Sequence, residues 1–262
     1  MARIIAVANQ KGGTGKTTTT INLGAALVHK GEKVLLIDMD SQAHCSRGLG
    51  IRLKETDKSI RDAVCEPENG ISHVIRNTAV DNLDIAPSHI YLSTVELELA
   101  SQVGAARRLA VALEEVLDKY DHIIIDAPPS LGLLAVNSIV ASQEVIIPME
   151  AELYALDGMD ALENTIIKTK RYLGHDVAIL GVLATKFRKG TSIHNEIMDQ
   201  LKEHWQDKVF NTVIHLNTDI PASVADQLPV VIVKNNSTGS KDYIDLAEEV
   251  LEREKSKQAE IS

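Results

Sequence analysis

The sequence predicts an α/β fold, a mainly parallel sheet flanked by helices on both faces. Short apolar runs at 4–8, 34–37, 123–125, 145–147, 179–184 and 230–233 alternate with segments of helical periodicity, as crossover helices between parallel strands require. The runs are continuous rather than alternating, so both faces of the sheet are expected to be covered. A glycine-rich segment at 12–15 joins the first run to the first helical pattern. In an open α/β sheet that junction lies beyond the carboxyl ends of the strands, where ligands bind.

Taken in order, residues 3–9 read as a buried strand. Residues 17–30 read as a helix that turns Ile21, Leu23, Gly24, Ala25, Leu27 and Val28 inward. Gly31 is placed as its C-terminal stop, and Gly174 as the stop of a later helix. The short piece 83–87 is expected to add a further strand. Helices are expected near 101–119, 131–142, 156–173, 193–206 and 240–256. With no internal repeat and no low-complexity linker, residues 1–262 are expected to form one domain, and 44% hydrophobic residues suit an α/β domain of that size.

Composition narrows the function classes. There is no apolar run of 18 residues, and Met1-Ala2-Arg3 leads straight into a strand, so neither a transmembrane helix nor a secretory signal is expected. A cytoplasmic protein is the corresponding expectation. Cys45 and Cys65 are too few for a disulfide framework, lack C-x-x-C spacing and read as incidental thiols. The formal net charge of −10 gives no overall basic character for binding nucleic acid.

The chemistry concentrates in Lys11-Gly12-Gly13-Thr14-Gly15-Lys16-Thr17-Thr18. The general phosphate-loop pattern G-x-x-x-x-G-K-[ST] would need a glycine at Asn9 or Gln10, so this is a variant. Its glycines still let backbone N–H groups converge on phosphate oxygens without a Cβ in the way. Lys16 is expected to reach the β- and γ-phosphates and the Thr17 hydroxyl to ligate Mg²⁺. The phosphates would sit at the N-terminus of the following helix, where free N–H groups favour negative charge. Asp38 and Asp40 close the second strand. Asp126 closes the strand before Pro128-Pro129, the position of a carboxylate that holds Mg²⁺ through water, or of a simple turn former.

These motifs resemble those of the deviant Walker A ATPases of the ParA/MinD group, whose signature is K-G-G-x-G-K-[ST]. Residues 35–42 resemble that family's strand ending in D-x-D-x-Q, and residues 123–130 its D-x-P-P-S switch segment. The stretches 148–158 and 243–250 are similar to the small, Soj-like partition ATPases, and the resemblance covers nearly the whole chain. It implies the P-loop NTPase fold of the deviant Walker A type, with ATP/ADP and Mg²⁺ as ligands and hydrolysis that is weak until a partner stimulates it. It further implies that Lys11 crosses to a partner subunit's phosphates in an ATP-dependent homodimer, that Asp40 orients the attacking water, and that Asp38 supports the loop and the magnesium shell. By the same resemblance Asp126 and Pro128 belong to the nucleotide site. Asn217 contacts the adenine ring, unless it serves only as a turn former.

Family members bind double-stranded DNA without sequence preference and are released by a ParB-like adaptor, which implies a nucleoid-associated protein. This sequence departs from them. His215-Leu216-Asn217-Thr218-Asp219 stands where relatives carry P-R-N-x-R, and Asn236-Ser237-Thr238-Gly239 where they carry R-S-[RK]-G. Lys186, Arg188 and Lys189 form the best remaining basic cluster, with Lys202, Lys208, Lys234 and Lys241 as supplements. Two alternatives stay open: an ATPase of this type positioning a protein cargo such as a chemoreceptor array or microcompartment, and membrane attachment of the MinD type. For the second, residues 251–260 lack the apolar face of an interfacial helix. Cys45 and Cys65 do not match the pattern of the iron–sulfur relatives.

Overall fold

The computed structural model describes residues 1–151, 159–190 and 192–261. Seven strands form one sheet: β1 (Arg3–Val7), β2 (Val34–Asp38), β3 (Arg76–Asn77), β4 (Leu83–Ala86), β5 (His122–Asp126), β6 (Glu144–Glu150) and β7 (Ala178–Thr185). Their spatial order is β3-β4-β2-β5-β1-β6-β7, and every pairing is parallel except that of β3 with β4. Register aligns Val7 and Asp38 with Asp126, so β1, β2 and β5 end at one level.

Alternate residues of each central strand enter opposite cores. Ile4, Ala6, Leu35, Ile37, Ile123 and Ile125 pack on one face, while Ile5, Val7, Leu36 and Ile124 pack on the other. Both faces are therefore dry, which is why the strands read as unbroken apolar runs. The second face is covered by the helix Lys16–His29 and the C-terminal helix Thr238–Ile261, through residues such as Leu23, Leu27, Leu246 and Val250. Gly31 and Gly174 take left-handed backbone at φ 96° and 64°, as expected of helix stops.

Two expectations are corrected. The run 230–233 is a short helix, Val230–Val233, not a strand. Pro229 supplies a φ of −62°, its carbonyl accepts from the amides of Ile232 and Val233, and the Val230 amide donates to Asn22 Oδ1 at 2.8 Å. A short apolar run looks the same whether it is a strand or one buried helical turn. The expected helix 101–119 is broken: Gly104, at φ 75°, separates it from a 3₁₀ turn at Ala105–Arg107, and the α-helix proper is Arg108–Leu113. Other helices follow expectation as Leu133–Ala141, Met159–Leu173 and Ser192–Trp205. Positions 156–158, where one helix was expected to begin, and 152–158 of the stretch 148–158 lie outside the described residues. Short helices at His44–Gly48, Ile60–Cys65 and Asp219–Ala225 have no counterpart in the sequence reading.

Gly181 of β7 lies under the buried ring of Phe210, and a Cβ there would come within 2.4 Å of Phe210 Cε2. A planar ring clamped beneath Arg253, whose Cζ is 4.3 Å from the ring centroid, has little room to retreat. Gly181→Ala is expected to cost about 1–3 kcal/mol in a denaturant titration, as overpacking does; an unchanged midpoint would show that the ring yields.

At the amino edge of the sheet the C-terminal helix is fastened to the first strand. Arg3 pairs with Glu144 and, at 2.7 Å, with Glu254; Lys257 also pairs with Glu144. His122 Nε2 lies 2.8 Å from Glu254 Oε1. Burial, with the Arg3 charge second, pushes the His122 imidazole down to about 4. The unfolded chain, with a histidine near 6.5, therefore takes up this proton first. Stability present above pH 6.5 is lost as pH falls towards 4. His122→Gln is expected to flatten the fall in the urea midpoint between pH 7 and 4.5; a parallel shift of the whole curve would refute this.

Candidate functional site

The loop after β1 is tied down by side chains distant in sequence. Asn9 Nδ2 donates to the Pro148 carbonyl at 2.8 Å, and Asn9 Oδ1 accepts from the Lys11 amide at 3.0 Å. The Thr185 hydroxyl at the end of β7 lies 2.9 Å from the Thr14 carbonyl. Gly13 and Gly15 adopt φ of 78° and 91°, conformations that require glycine, and nothing lies within 4 Å of a Cβ built on Gly12 or Gly13. The loop thus presents bare backbone to a cavity of about 720 Å³, lined by Gly12, Gly13, Gly15, Lys16, Thr17 and Thr18 on one side and by Asp40, Gln42, His44, Arg47, Arg52 and Pro129 on the other.

Lys16 is 8% exposed, and its ammonium donates to the Lys11 carbonyl at 3.3 Å. Burial pushes its pKa down, against the charges of Asp126 and Asp40. The Thr17 hydroxyl donates to Asp126 Oδ2 at 2.8 Å, whereas Asp126 Oδ1 is buried without any hydrogen-bond partner. An orphaned carboxylate oxygen beside a threonine hydroxyl fits a hydrated Mg²⁺, since hard cations take oxygen ligands and keep much of their water. Burial and the neighbouring Asp38 charge push Asp126 well up, with Thr17 and Lys16 acting in the other direction.

Asp38 is fully buried and its oxygens are engaged by the chain itself: Oδ2 accepts from the Ser46 amide at 2.8 Å and the Ser46 hydroxyl at 2.6 Å, and Oδ1 from the Asp40 amide at 3.2 Å. Burial raises its pKa despite these bonds. Its geometry is that of a loop anchor. Asp40 is half-buried, lines the cavity and accepts from the Gln42 amide at 2.9 Å. Lys11 is exposed at the loop's outer edge, and its carbonyl accepts from Thr14 and Lys16.

Of the expected site residues, Lys11, Thr14, Asp38, Asp126, Pro128 and Asn217 do not themselves line this cavity. Pro128 is buried, and its neighbour Pro129 forms the wall. Asn217 serves its own loop: Oδ1 accepts from the amides of Asp219 and Ile220 at 3.1 and 3.0 Å, and Nδ2 donates to the His215 carbonyl. Ser223, Val224 and Leu228 line the cavity on that side. Lys186, Arg188 and Lys189 are exposed beyond β7, but Lys186 forms an ion pair with Glu150 at 2.9 Å. Cys45 is buried, and burial together with Asp38 and Asp126 pushes its thiol pKa well up, which makes it unreactive. Among the described residues, no cluster of three His, Cys, Asp or Glu side chains could hold a metal ion.

Sequence reading missed Ser46, His44, Arg47 and Arg52. Ala43, at φ 51°, turns the chain after Asp40 so that the next helix brings Ser46 back to Asp38. An alanine in the left-handed region leaves no sequence signal.

Known proteins fit this geometry. The AAA_31 family model, an AAA domain, matches residues 2–179. Sporulation initiation inhibitor protein Soj of Bacillus subtilis (strain 168) is 41% identical over 250 residues, 95% of this chain and 98% of that protein. The chain belongs to the ParA/MinD family of P-loop ATPases. Among solved structures, a putative plasmid partition protein of Borrelia burgdorferi bound to AMPPNP is 31% identical, with a TM-score of 0.78 over 98% of this chain and 100% of that one. Cobyrinic acid a,c-diamide synthase of Mycobacterium smegmatis with bound ADP and magnesium is 29% identical, with a TM-score of 0.85 over 98% and 96%. In this chain the phosphate loop, the D-x-D segment and the D-x-P-P-S segment lie at one end of a parallel sheet, and the cell division ATPase MinD of Pyrococcus furiosus is 28% identical, with a TM-score of 0.75 over 96% of this chain and 99% of that one. The resemblance carried by the sequence motifs is thereby confirmed.

Proposed function

We propose that this ParA/MinD-family chain is a ParA-like partition ATPase that binds ATP as a homodimer, holds nonspecific double-stranded DNA in that state, and lets go when a ParB-like adaptor stimulates hydrolysis. The supporting observation is the Thr17 hydroxyl bonded to buried Asp126, whose other carboxylate oxygen is without a partner, with Thr17 and Lys16 lining the same cavity as Asp40. Lys16 and the loop amides hold the phosphates of ATP. Thr17 and Asp126 would hold Mg²⁺, which would supply positive charge against the phosphates. Asp38 fixes the Asp40 turn. Asp40 orients the attacking water. Lys11, exposed at the rim, supplies its charge to the partner subunit's γ-phosphate, as an arginine finger does.

The nucleotide bound to the Borrelia protein and the identity with Soj support this reading. Membrane attachment is disfavoured: Arg253, Glu254 and Lys257 of the C-terminal helix are engaged with the body of the protein. Among the described residues no helix is long and apolar enough to cross a membrane.

A second reading, positioning of a protein cargo, is favoured by one set of residues. Leu216 and Asp219 replace arginines of the DNA-binding relatives, and Lys186 is paired with Glu150. Retention on arbitrary duplex with ADP, ATP and a slowly hydrolysed analogue, across a salt series, separates the two. Binding with ATP that falls steeply with salt supports DNA, because phosphate neutralisation carries such affinity. No binding near 50 mM salt, with ATP-dependent dimers intact, selects the protein cargo.

A further inference from the structure

A second cavity, of about 310 Å³, opens beside the nucleotide cavity and is lined by Ser41, Gln42, Ala43, Arg47, Ile51, Arg52, Leu53, Ser88, His89 and Ile90. Among the described residues no acidic side chain lines it and neither Arg47 nor Arg52 forms an ion pair. Arg47 donates to backbone carbonyls of its own turn, Gln42 and Ala43. At the floor lies Ser88, 3% exposed, whose hydroxyl has no hydrogen-bond partner. Its backbone is held, because the Ser88 amide donates to Ser46 Oγ at 2.9 Å and Ser46 in turn donates to Asp38. The residue that carries the orphaned hydroxyl is thus held at its backbone.

A buried hydroxyl without a partner is costly, and such groups in native proteins are normally satisfied by water or a ligand. Two guanidinium groups without carboxylates match a doubly charged oxyanion, because their planar forks donate to phosphate in pairs. Ile51, Leu53 and Ile90 give the remaining wall an apolar character suited to an organic body. We propose that this cavity is a second ligand site, distinct from the nucleotide site, for a small phosphate-bearing molecule: its phosphate lies between Arg47 and Arg52, and one oxygen accepts from Ser88 Oγ.

The proposal does not depend on the partition reading. Arg47 and Arg52 border both cavities, so the variants that test it are taken from residues lining only the second. Ser88→Ala removes the hydroxyl and keeps the amide bond to Ser46. Ile90→Glu places a negative charge at an exposed rim position, 52% accessible. Phenyl phosphate and inorganic phosphate are titrated by calorimetry into the intact protein, once without nucleotide and once saturated with ADP and Mg²⁺.

The expected result is phenyl phosphate binding that persists in the ADP-saturated protein, weakens about tenfold in Ser88→Ala and disappears in Ile90→Glu, with ADP affinity unchanged in both variants. Because the hydroxyl is unpaired, Ser88→Ala should melt no lower than the parent. Phenyl phosphate binding tighter than inorganic phosphate assigns the site to an organic phosphate, and equal binding assigns it to the free ion. Absence of binding at millimolar ligand, binding abolished by saturating ADP, or binding unaffected by both substitutions would each overturn the proposal. Failure of ADP itself to bind would count against the nucleotide reading alone, since the nucleotide-free titration still reports on this cavity.

Discussion

Asp40→Ala is expected to lower turnover by at least about 100-fold, the usual contribution of a group that positions or deprotonates a nucleophile, while ATP affinity stays within about threefold. Asp40 borders the cavity opposite Lys16 but has no structural bond to the phosphate loop in which ATP would rest. Its carboxylate accepts from the Gln42 amide, so alanine also loosens that turn. Asp40→Asn provides the control, because it retains an acceptor for Gln42 and loses the charge. If both variants bind ATP and neither turns it over, the carboxylate charge is what hydrolysis requires. If Asp40→Asn retains the parental rate, Asp40 acts only as a turn former and the water is positioned elsewhere. Single-turnover hydrolysis with saturating Mg²⁺ separates these outcomes.

Asp126→Asn should move two properties in opposite directions. Asp126 and Asp38 are register partners at the ends of adjacent strands; burial raises the proton affinity of both, and the Asp38 charge raises that of Asp126 further. With the folded pKa above the unfolded value, the carboxyl contributes stability below the unfolded pKa, and that stability is lost as pH rises through the folded pKa. At neutral pH the nucleotide-free protein therefore carries a penalty for the buried charge. The amide still accepts from Thr17 and carries no charge. The nucleotide-free variant should be more stable than the parent at pH 7–8 and equal to it near pH 4. The same substitution should abolish the gain in ADP affinity that Mg²⁺ provides. Thermal unfolding across pH, with and without Mg²⁺·ADP, tests both; a variant less stable at every pH, or one that keeps the Mg²⁺ effect, would show that Asp126 is structural.

What was legible in the sequence was local. Glycines at 12, 13 and 15, a lysine at 16 and carboxylates at strand ends are dictated by phosphate geometry and by where strands stop; the structure brings the glycines, Lys16 and Asp40 to one cavity and buries Asp126 behind Thr17. Gly13 and Gly15 do occupy left-handed backbone. What was not legible depended on partners far along the chain. Gln10 stands where the general loop pattern has its first glycine, and the neighbouring Asn9 anchors the loop by reaching Pro148. Asn217 and Pro128 lie in segments whose motif resembles the family, yet an Asx turn consumes one and burial removes the other from the cavity. Val230–Val233 carries β-branched residues but follows Pro229 and packs as a helical turn. Neither Ser46 nor Ser88 has a signature, since a serine acquires its meaning from the atoms opposite it.

Strand β1 is flanked on both sides by strands that follow it much later in the chain, β5 and β6, and its loop is anchored by Pro148 and Thr185. Chains are synthesised from the N-terminus, so the phosphate loop leaves the ribosome well over a hundred residues before its supports exist. Affinity for nucleotide should therefore appear late in translation, and a tethered nascent chain that captures ATP would report that the sheet has closed as far as β7.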